Sequence, residues 1–571
     1  MKTEKKNKKE RLEFFHALYE SARDAYSDTL DELERNMAQY RGSTDIDGGR
    51  EAALTVRNVT YEIIESQVSS DIPQPKADAA YYSEEKERAA MAIEALCRSL
   101  RDRLPFEEMN DLDERYTYIY GGSVWFVEWD STADFGDVTG GVRIHCISPR
   151  DFIPQPNVFA VEDMEYCFLR FTTTRYELIR RYGVSEEESF LAECETLSDT
   201  SPESETVSMV VCFYKGEEGE IGKFVFSGDL TLSDMENYYK RKIKVCKKCG
   251  CDEFSCSCGS KSFVTVDVDY ETVKERGGRA EMENVPYYVP KNFPIVIRKN
   301  TSAEGSLLGQ SDCTYIRPEQ QAINKIESRI LQKLLRAGVT PIVPEDANVV
   351  INNSVFGQVI KIKPGESMAQ YGKVDTTPDI SQDIAEAERL YDHCKRILGI
   401  SDAYQGIGEF SNESGVARQL RISQASGRLE SKKKMKYTAY SHIDRLIFEH
   451  YLAFADEPRR ICYKDVYGRV HNACFNRYDF ITFDAAKMAL RYDDAFLFSV
   501  DLNGGSEYQR EALWERNLEN LRAGTLGDPA LAPTLLRYWQ NQERAHYPHA
   551  RENVEYFSEL IRKESIGYDG T

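Results

Sequence analysis

Three common catalytic signatures are missing from this sequence: it has no GxxxxGK[ST] loop, no HExxH and no GxSxG. Their absence argues against ATP hydrolysis of the P-loop kind, zinc proteolysis and serine-hydrolase chemistry. Histidine is scarce. The eight present (His16, His145, His393, His442, His450, His471, His546 and His549) are dispersed, and Pro548 makes the last two read as a turn. No apolar run approaches the ~18 residues of a membrane span. The opening MKTEKKNKKE is a charge run with no apolar stretch behind it, so no secretory signal is expected and Lys2 to Lys9 read as a solvated tail. Asp267 and Asp269 alternate as on a strand face, which solvation explains better than cation binding. The expectation is a protein that is not an enzyme.

What is present is a chain of 571 residues, enough for about three or four domain-sized units. Hydrophobic residues make up 41% and aromatics 11%, which supports a substantial core. Lys and Arg number 73 against 95 Asp and Glu, a net charge of −22. That balance argues against coating nucleic acid through a broad basic surface, because phosphate contacts are made by Lys and Arg.

Cysteine is concentrated. Five of the fourteen lie between Cys246 and Cys258, in VCKKCGCDEFSCSCG. Clustering of this kind in an intracellular protein favours a metal over disulfides. Cys246 and Cys249 form a CxxCG knuckle, Cys256 and Cys258 supply a second pair, and Cys251 is a possible substitute for one of the four. Four thiolates close the coordination sphere, so the expected cofactor is a structural zinc in a small ribbon-like insertion over residues 240–262. The second pair is CxC where ribbons usually have CxxC, and a local disulfide or free thiols are the alternatives. Lys240, Arg241, Lys242, Lys244, Lys247 and Lys248 surround the cluster and offset its negative charge.

Periodicity gives the order of elements. One or two helices are read between Glu10 and Tyr40 and one over Ser83 to Leu104. Strands are read at Val124 to Trp129, Val142 to Ile147, Val207 to Tyr214, Lys223 to Ser227, Phe263 to Val268 and Ile295 to Arg298. An exposed helix and loop are expected around Glu186 to Glu205. A helix over Pro318 to Ala337 is followed by short β-branched runs between Thr340 and Lys363, then by a helix N-capped by Ser381 and ended by Gly399. The polar loop QGIGEFSNESG then leads into a proline-free helix from Val416 to about Phe454, with Gly427 as its bend. Lys432, Lys433, Lys434 and Lys436 spread around that helix and are expected to pair with acidic residues of a neighbouring subunit. Three strands (Arg460 to Tyr463, Phe480 to Phe483, Phe496 to Val500) and three polar helices (Glu507 to Arg522, Pro529 to Arg544, Ala550 to Lys563) close the chain. The fold class is α+β.

This order suggests a ring-forming channel subunit. The segments RNVTYEIIESQVSSDIPQP, GGSVWFVEW, SPRDFIPQP, QSDCTYIRPEQQAINKIESRILQKLLRAG and the loop plus long helix after Gly399 resemble the portal proteins of tailed bacteriophages, of the kind found in phages and prophages of Gram-positive bacteria. The likeness covers about Arg57 to Phe454, and its specificity lies in the order of the segments. It implies a wing over 1–310, stem helices at 311–338 and 381–399, a clip at 339–380, a tunnel loop and long wing helix at 400–456, wing return strands at 457–503 and a crown at 504–571. It also implies a homo-oligomeric ring, described for the family as a dodecamer, through which double-stranded DNA passes. Gly408, Glu409, Phe410, Ser411 and Asn412 would then lie nearest the DNA. The implied partners are the terminase large subunit, a head-completion or adaptor protein, and the major capsid and scaffolding proteins, with no membrane. The implied location is the unique capsid vertex of the virion, after assembly in the host cytoplasm. The competing classes are a zinc-ribbon nucleic-acid-processing enzyme and a non-viral scaffold or adaptor.

Overall fold

The computed structural model describes residues 8–44, 54–81, 83–135, 138–196, 205–217, 219–249, 258, 262–273, 283–336, 339–342, 372–375, 378–400, 427–464, 470–484, 488–501, 507–544, 547 and 550–568. It is a mixed α+β chain. Two units separate, one made of Met1–Leu33, Val68–Gln310 and Glu430–Thr571, the other of Glu34–Gln67 and Ser311–Leu429.

In the larger unit the chain starts with α1 (Lys8–Ala25) and α2 (Ser27–Tyr40), the latter continuing past Leu33. The first packs on a six-stranded antiparallel sheet of β4 (Phe152–Pro154), β5 (Tyr166–Thr174), β6 (Cys194–Thr196), β7 (Thr206–Lys215), β8 (Ile221–Ser227) and β9 (Leu230–Met235). Phe15 stacks on Phe224 with ring centroids 4.4 Å apart, and Arg11 donates to the Tyr214 hydroxyl at 3.0 Å and to Asp234 at 2.7 Å. Arg175–Tyr182 forms α6, N-capped by Thr174, and the single turn α7 (Glu186–Ser189) is closed by a Ser185/Glu188 capping box. Among its described residues the acidic stretch forms a helix turn followed by a short strand.

The centre of this unit is a second sheet, β14 (Ile295–Lys299), β2 (Gly122–Phe135) and β3 (Val138–Ile147), in that order. Against it lie α4 (Glu84–Arg103), α5 (Phe106–Tyr120) and the long helix α10 (Gly427–Phe454), which continues in this unit from Glu430. The described 28 residues of α10 span about 42 Å at 1.5 Å each. β1 (Gln74–Ala79) pairs antiparallel with β21 (Phe496–Asp501), joining segments over four hundred residues apart. Two hairpins, β17 (Arg459–Lys464) with β18 (Val470–Phe475) and β19 (Ile481–Asp484) with β20 (Ala489–Tyr492), complete the layer. A further short pair, β12 (Tyr270–Val273) with β13 (Glu283–Pro286), precedes β14 in the chain. Phe448 of α10 sits among Phe475, Phe480, Phe496 and Phe498. The C-terminal helices are α11 (Glu507–Arg522), α12 (Ala532–Arg544) and α13 (Ala550–Tyr568).

The turn from α5 to β2 shows why GGSVWFVEW has its two glycines. Gly121 has a φ of 89° and caps α5, its N–H reaching the Thr117 carbonyl. A Cβ on Gly122 would lie 2.7 Å from the Arg298 carbonyl and 2.6 Å from that of Leu308, so only glycine lets β2 approach β14 there. This close approach brings Arg298 over α5. Its guanidinium is fully buried and bonds both Asp113 and, at 2.8 Å, Glu114. Lys436 of α10 reaches Glu114 at 2.9 Å, and Asp113 also accepts from the Trp125 indole at 2.8 Å and from Ser123. Two acids and two bases thus balance in a buried site. Nearby, Arg101 of α4 holds Asp444 of α10 through two bonds of 2.7 and 2.8 Å.

The smaller unit is built on α3 (Val59–Gln67), α8 (Asp312–Arg336) and α9 (Ser381–Leu398), packed through Val59, Ile63, Ile316, Ile323, Tyr391 and Leu398. Glu319 near the start of α8 meets His393 near the end of α9 at 3.2 Å, while Arg329 and Lys333 meet Asp383. The two helices therefore run antiparallel. Between them in sequence, β15 (Val339–Ile342) pairs antiparallel with β16 (Gly372–Asp375).

Several expectations need correction. The helix read from Pro318 starts at Asp312, with Pro318 inside it, six residues before that expected start. Ser381 is the first helical residue of α9 and Ile380 its cap, because Asp379 accepts both the Ser381 amide and its hydroxyl. α12 begins at Ala532, and β1, β5 and α5 were not read from periodicity. Lys436 and Lys432 do not point at a neighbouring subunit: both are buried against their own chain, Lys432 over the Tyr118 ring at 4.9 Å. The stretch Val416 to Ser426, the tunnel-loop residues Gly408 to Asn412, and Cys251 and Cys256 lie outside the described residues.

Replacing Arg298 with Met leaves two acids facing one lysine in a buried site. The expected cost is about 3–5 kcal/mol, read as a lower denaturant midpoint; a loss under about 1 kcal/mol would show that the cluster contributes little. A second test concerns Glu128 on β2. Burial alone would raise its pKa, but the His145 hydrogen bond and the charges of Lys223 and Arg181 outweigh burial and hold it well below its usual 4.5. A depressed carboxylate contributes stability that is present above pH 4.5 and is lost as pH falls toward the folded value. Glu128→Gln should flatten the acid limb of a stability–pH profile below that point; an unchanged limb would assign it to other carboxylates.

Candidate metal centre

The cysteine cluster closes a ribbon of two strands, β10 (Arg241–Cys246) and β11 (Phe263–Val268), paired antiparallel from Arg241 opposite Val268 to Cys246 opposite Phe263. Alternation along β10 places Arg241 and Val245 on one face and Cys246 on the other. Pairing extends one step beyond the strands, where the Lys247 amide donates to the Ser262 carbonyl at 3.0 Å. The chain then turns. The Lys248 amide points back to the Cys246 sulfur at 3.4 Å, the contact by which a CxxCG knuckle feeds backbone N–H groups to a thiolate.

This turn brings together Cys246, Cys249 and Cys258, whose sulfurs all lie within 4.8 Å of one another. Cys246 and Cys258 are 3.4 Å apart. Two thiolates bound at about 2.3 Å to one tetrahedral ion would sit about 3.8 Å apart, whereas a disulfide needs about 2.05 Å. The spacing fits metal ligation. Cys246 is buried, Cys258 half-buried and Cys249 exposed, so the cluster lies at the end of the ribbon with one side to solvent. Among the described residues this is the one group of three or more Cys, His, Asp or Glu side chains arranged to hold a metal ion.

Of the expected ligands, the structure gathers Cys246, Cys249 and Cys258. Cys256 and the substitute Cys251 belong to residues 251–257, outside the described residues, so the fourth ligand is open between them. Asp269 lies past the end of β11 and pairs with Lys240 at 3.2 Å, so it is engaged in an ion pair. Outside the cluster, Cys97, Cys167, Cys212, Cys313 and Cys394 are buried whereas Cys194, Cys462 and Cys474 are exposed, and burial pushes the Cys394 and Cys313 thiols up to about 12.

The opposite end of the ribbon is held by charge, which sequence patterns did not reveal. Arg241 bonds Asp456 and, at 3.3 Å, the Phe454 carbonyl at the C-terminal end of α10. Arg477, itself buried, also meets Asp456 at 3.1 Å and donates to the Leu452 carbonyl at 3.3 Å. Two guanidinium groups thus satisfy carbonyls that end the helix and face the negative end of its dipole. No short motif announces this, since Arg241 and Asp456 are over two hundred residues apart.

A two-stranded ribbon is marginal by itself. Removing one metal ligand with Cys246→Ser should abolish stoichiometric metal and speed amide exchange in Arg241–Cys246 and Phe263–Val268. Exchange in β2 and α10 should stay at the wild-type level. Collapse of protection throughout the larger unit would show instead that the centre supports the whole sheet layer. Compared with protein-family models and with curated proteins, the chain matches none.

Proposed function

We propose that this chain is one subunit of a portal ring, the channel through which double-stranded DNA is packaged into a tailed-phage capsid and later leaves it. The observation that carries the reading is the order of elements along the smaller unit and into the long helix. Among the described residues helix α8 runs out, β15 and β16 pair, α9 returns antiparallel, and α10 is the next element. This is the succession of stem, clip, stem and tunnel helix that the resemblance implies. The strongly acidic balance of the chain also suits a conduit that must not hold phosphate.

In this reading the protein does its work by geometry and electrostatics, with no bond made or broken. The clip docks the terminase large subunit and afterwards a head-completion or adaptor protein, and the wing faces the major capsid and scaffolding proteins. The ring assembles in the host cytoplasm and remains at one vertex of the virion. Zinc is the metal that best fits the cysteine cluster: three thiolates, a short CxxC turn and a fourth cysteine close by in sequence make a closed tetrahedral site that holds shape and leaves no position for a reacting water.

Negative-stain imaging of the purified protein, with its mass measured in solution, tests the reading directly. Closed rings with a central hole wide enough for B-form DNA are expected. A monodisperse monomer or dimer at working concentration would overturn it.

A further inference from the structure

The ribbon is a basic arm on an acidic protein. Between Lys240 and Lys261 there are seven Lys or Arg and two acidic residues, in a chain whose net charge is −22. Among the described residues its strands pair only with each other, which leaves both outer edges open. One face is also apolar. By register Val245 opposes Val264 and Arg241 opposes Val268, with Val266 between, and Val264 and Val266 remain 41% and 45% exposed. At the tip, Lys247 and Lys248 are exposed beside the thiolate cluster. An exposed apolar strip next to cations, stiffened at one end by a metal centre and at the other by Arg241, has the composition of an interface: an apolar centre with a charged rim.

A surface of opposite character lies elsewhere in the same unit. Glu186, Glu187 and Glu188 of α7 are exposed, and the chain leaving that turn carries Phe190 and Leu191, which are 59% and 54% exposed. Acid beside apolar there matches base beside apolar on the ribbon. The Arg175 guanidinium lies over one side of the Phe190 ring at 4.7 Å, yet about half of each of these apolar side chains stays exposed among the described residues of one copy. Two different complementary patches on one chain make a head-to-tail contact between copies, which closes into a ring when the rotation permits.

We propose that the ribbon of one copy docks on the Glu186–Leu191 corner of the next, with Val264 and Val266 against Phe190 and Leu191 and Lys247 and Lys248 against Glu186 and Glu187. The contact rests on the ring reading and adds to it a specific inter-subunit latch. A nucleic-acid role is less well matched, because the exposed apolar strip would gain nothing from phosphate.

A charge swap tests it. Lys247→Glu with Lys248→Glu, and separately Glu186→Lys with Glu187→Lys, should each raise the dissociation constant of the oligomer at least about tenfold at moderate salt. The combined swap should recover most of that loss. Val264→Asp with Val266→Asp should weaken association similarly, with little dependence on salt. Metal content at the wild-type ratio reports that the ribbon is folded in each variant. Oligomers that persist unchanged in every variant, or a combined swap no better than its halves, would remove the latch and leave the ring reading standing. A wild-type protein that does not self-associate would remove both. Loss of duplex DNA retention in the lysine variant, with assembly unchanged, would overturn the latch in favour of a nucleic-acid face.

Discussion

Burying four charges at one point constrains the larger unit more than any other feature. Arg298, Asp113, Glu114 and Lys436 come from β14, α5 and α10, and each is buried. A charge removed from water without a partner costs several kcal/mol, so this set is tolerable only when all three elements are in place together. The cluster therefore couples the seating of the long helix to the pairing of β14 with β2. It also specifies the helix's rotation, because the Lys436 ammonium must meet Glu114 while Asp444, two turns along, meets Arg101. Apolar contacts around Phe448 and Tyr440 supply area, and the ionic contacts supply register.

The cysteine ribbon has another logic. Its strands gain little from one another, and it is tied at its two ends: the Cys246, Cys249 and Cys258 sulfurs gather at the tip, and Arg241 is bound to the end of α10 at the base. An element built this way keeps its shape without a core beneath it, which frees its faces for other contacts. The six-stranded sheet shows the opposite case. There β7 is buried along nearly its whole length between β5 and β8, and α1 covers the sheet with stacked aromatics.

Much of the fold was legible because it is written locally. The strands at Val124, Val142, Val207, Lys223, Phe263 and Ile295, the helix at Ser83, and the left-handed Gly399 all follow from periodicity and turn chemistry within a few residues. The cysteine cluster was legible for a similar reason, since ligands so close in sequence must meet in a short turn. What failed were elements whose partners are remote. β1 contains a proline and no apolar alternation, and it is a strand because β21 offers it a ladder. Lys436 of α10 was expected to pair across subunits, since a sequence window shows its spacing and not Glu114, the carboxylate that neutralises it within the chain.

The sequence by itself determined the mixed class, much of the order of helices and strands, the acidic balance and the gathering of Cys246, Cys249 and Cys258, because each is set by spacing and composition over short stretches. Tertiary structure alone decided which buried acids and bases neutralise one another, that Arg241 and Arg477 close the end of the long helix, and, among the described residues, which side chains of the ribbon and of the α7 corner are exposed. Those outcomes depend on residues that come together only after the chain has folded, where desolvation makes an unmet charge too costly to keep and an uncovered apolar strip a place to bind.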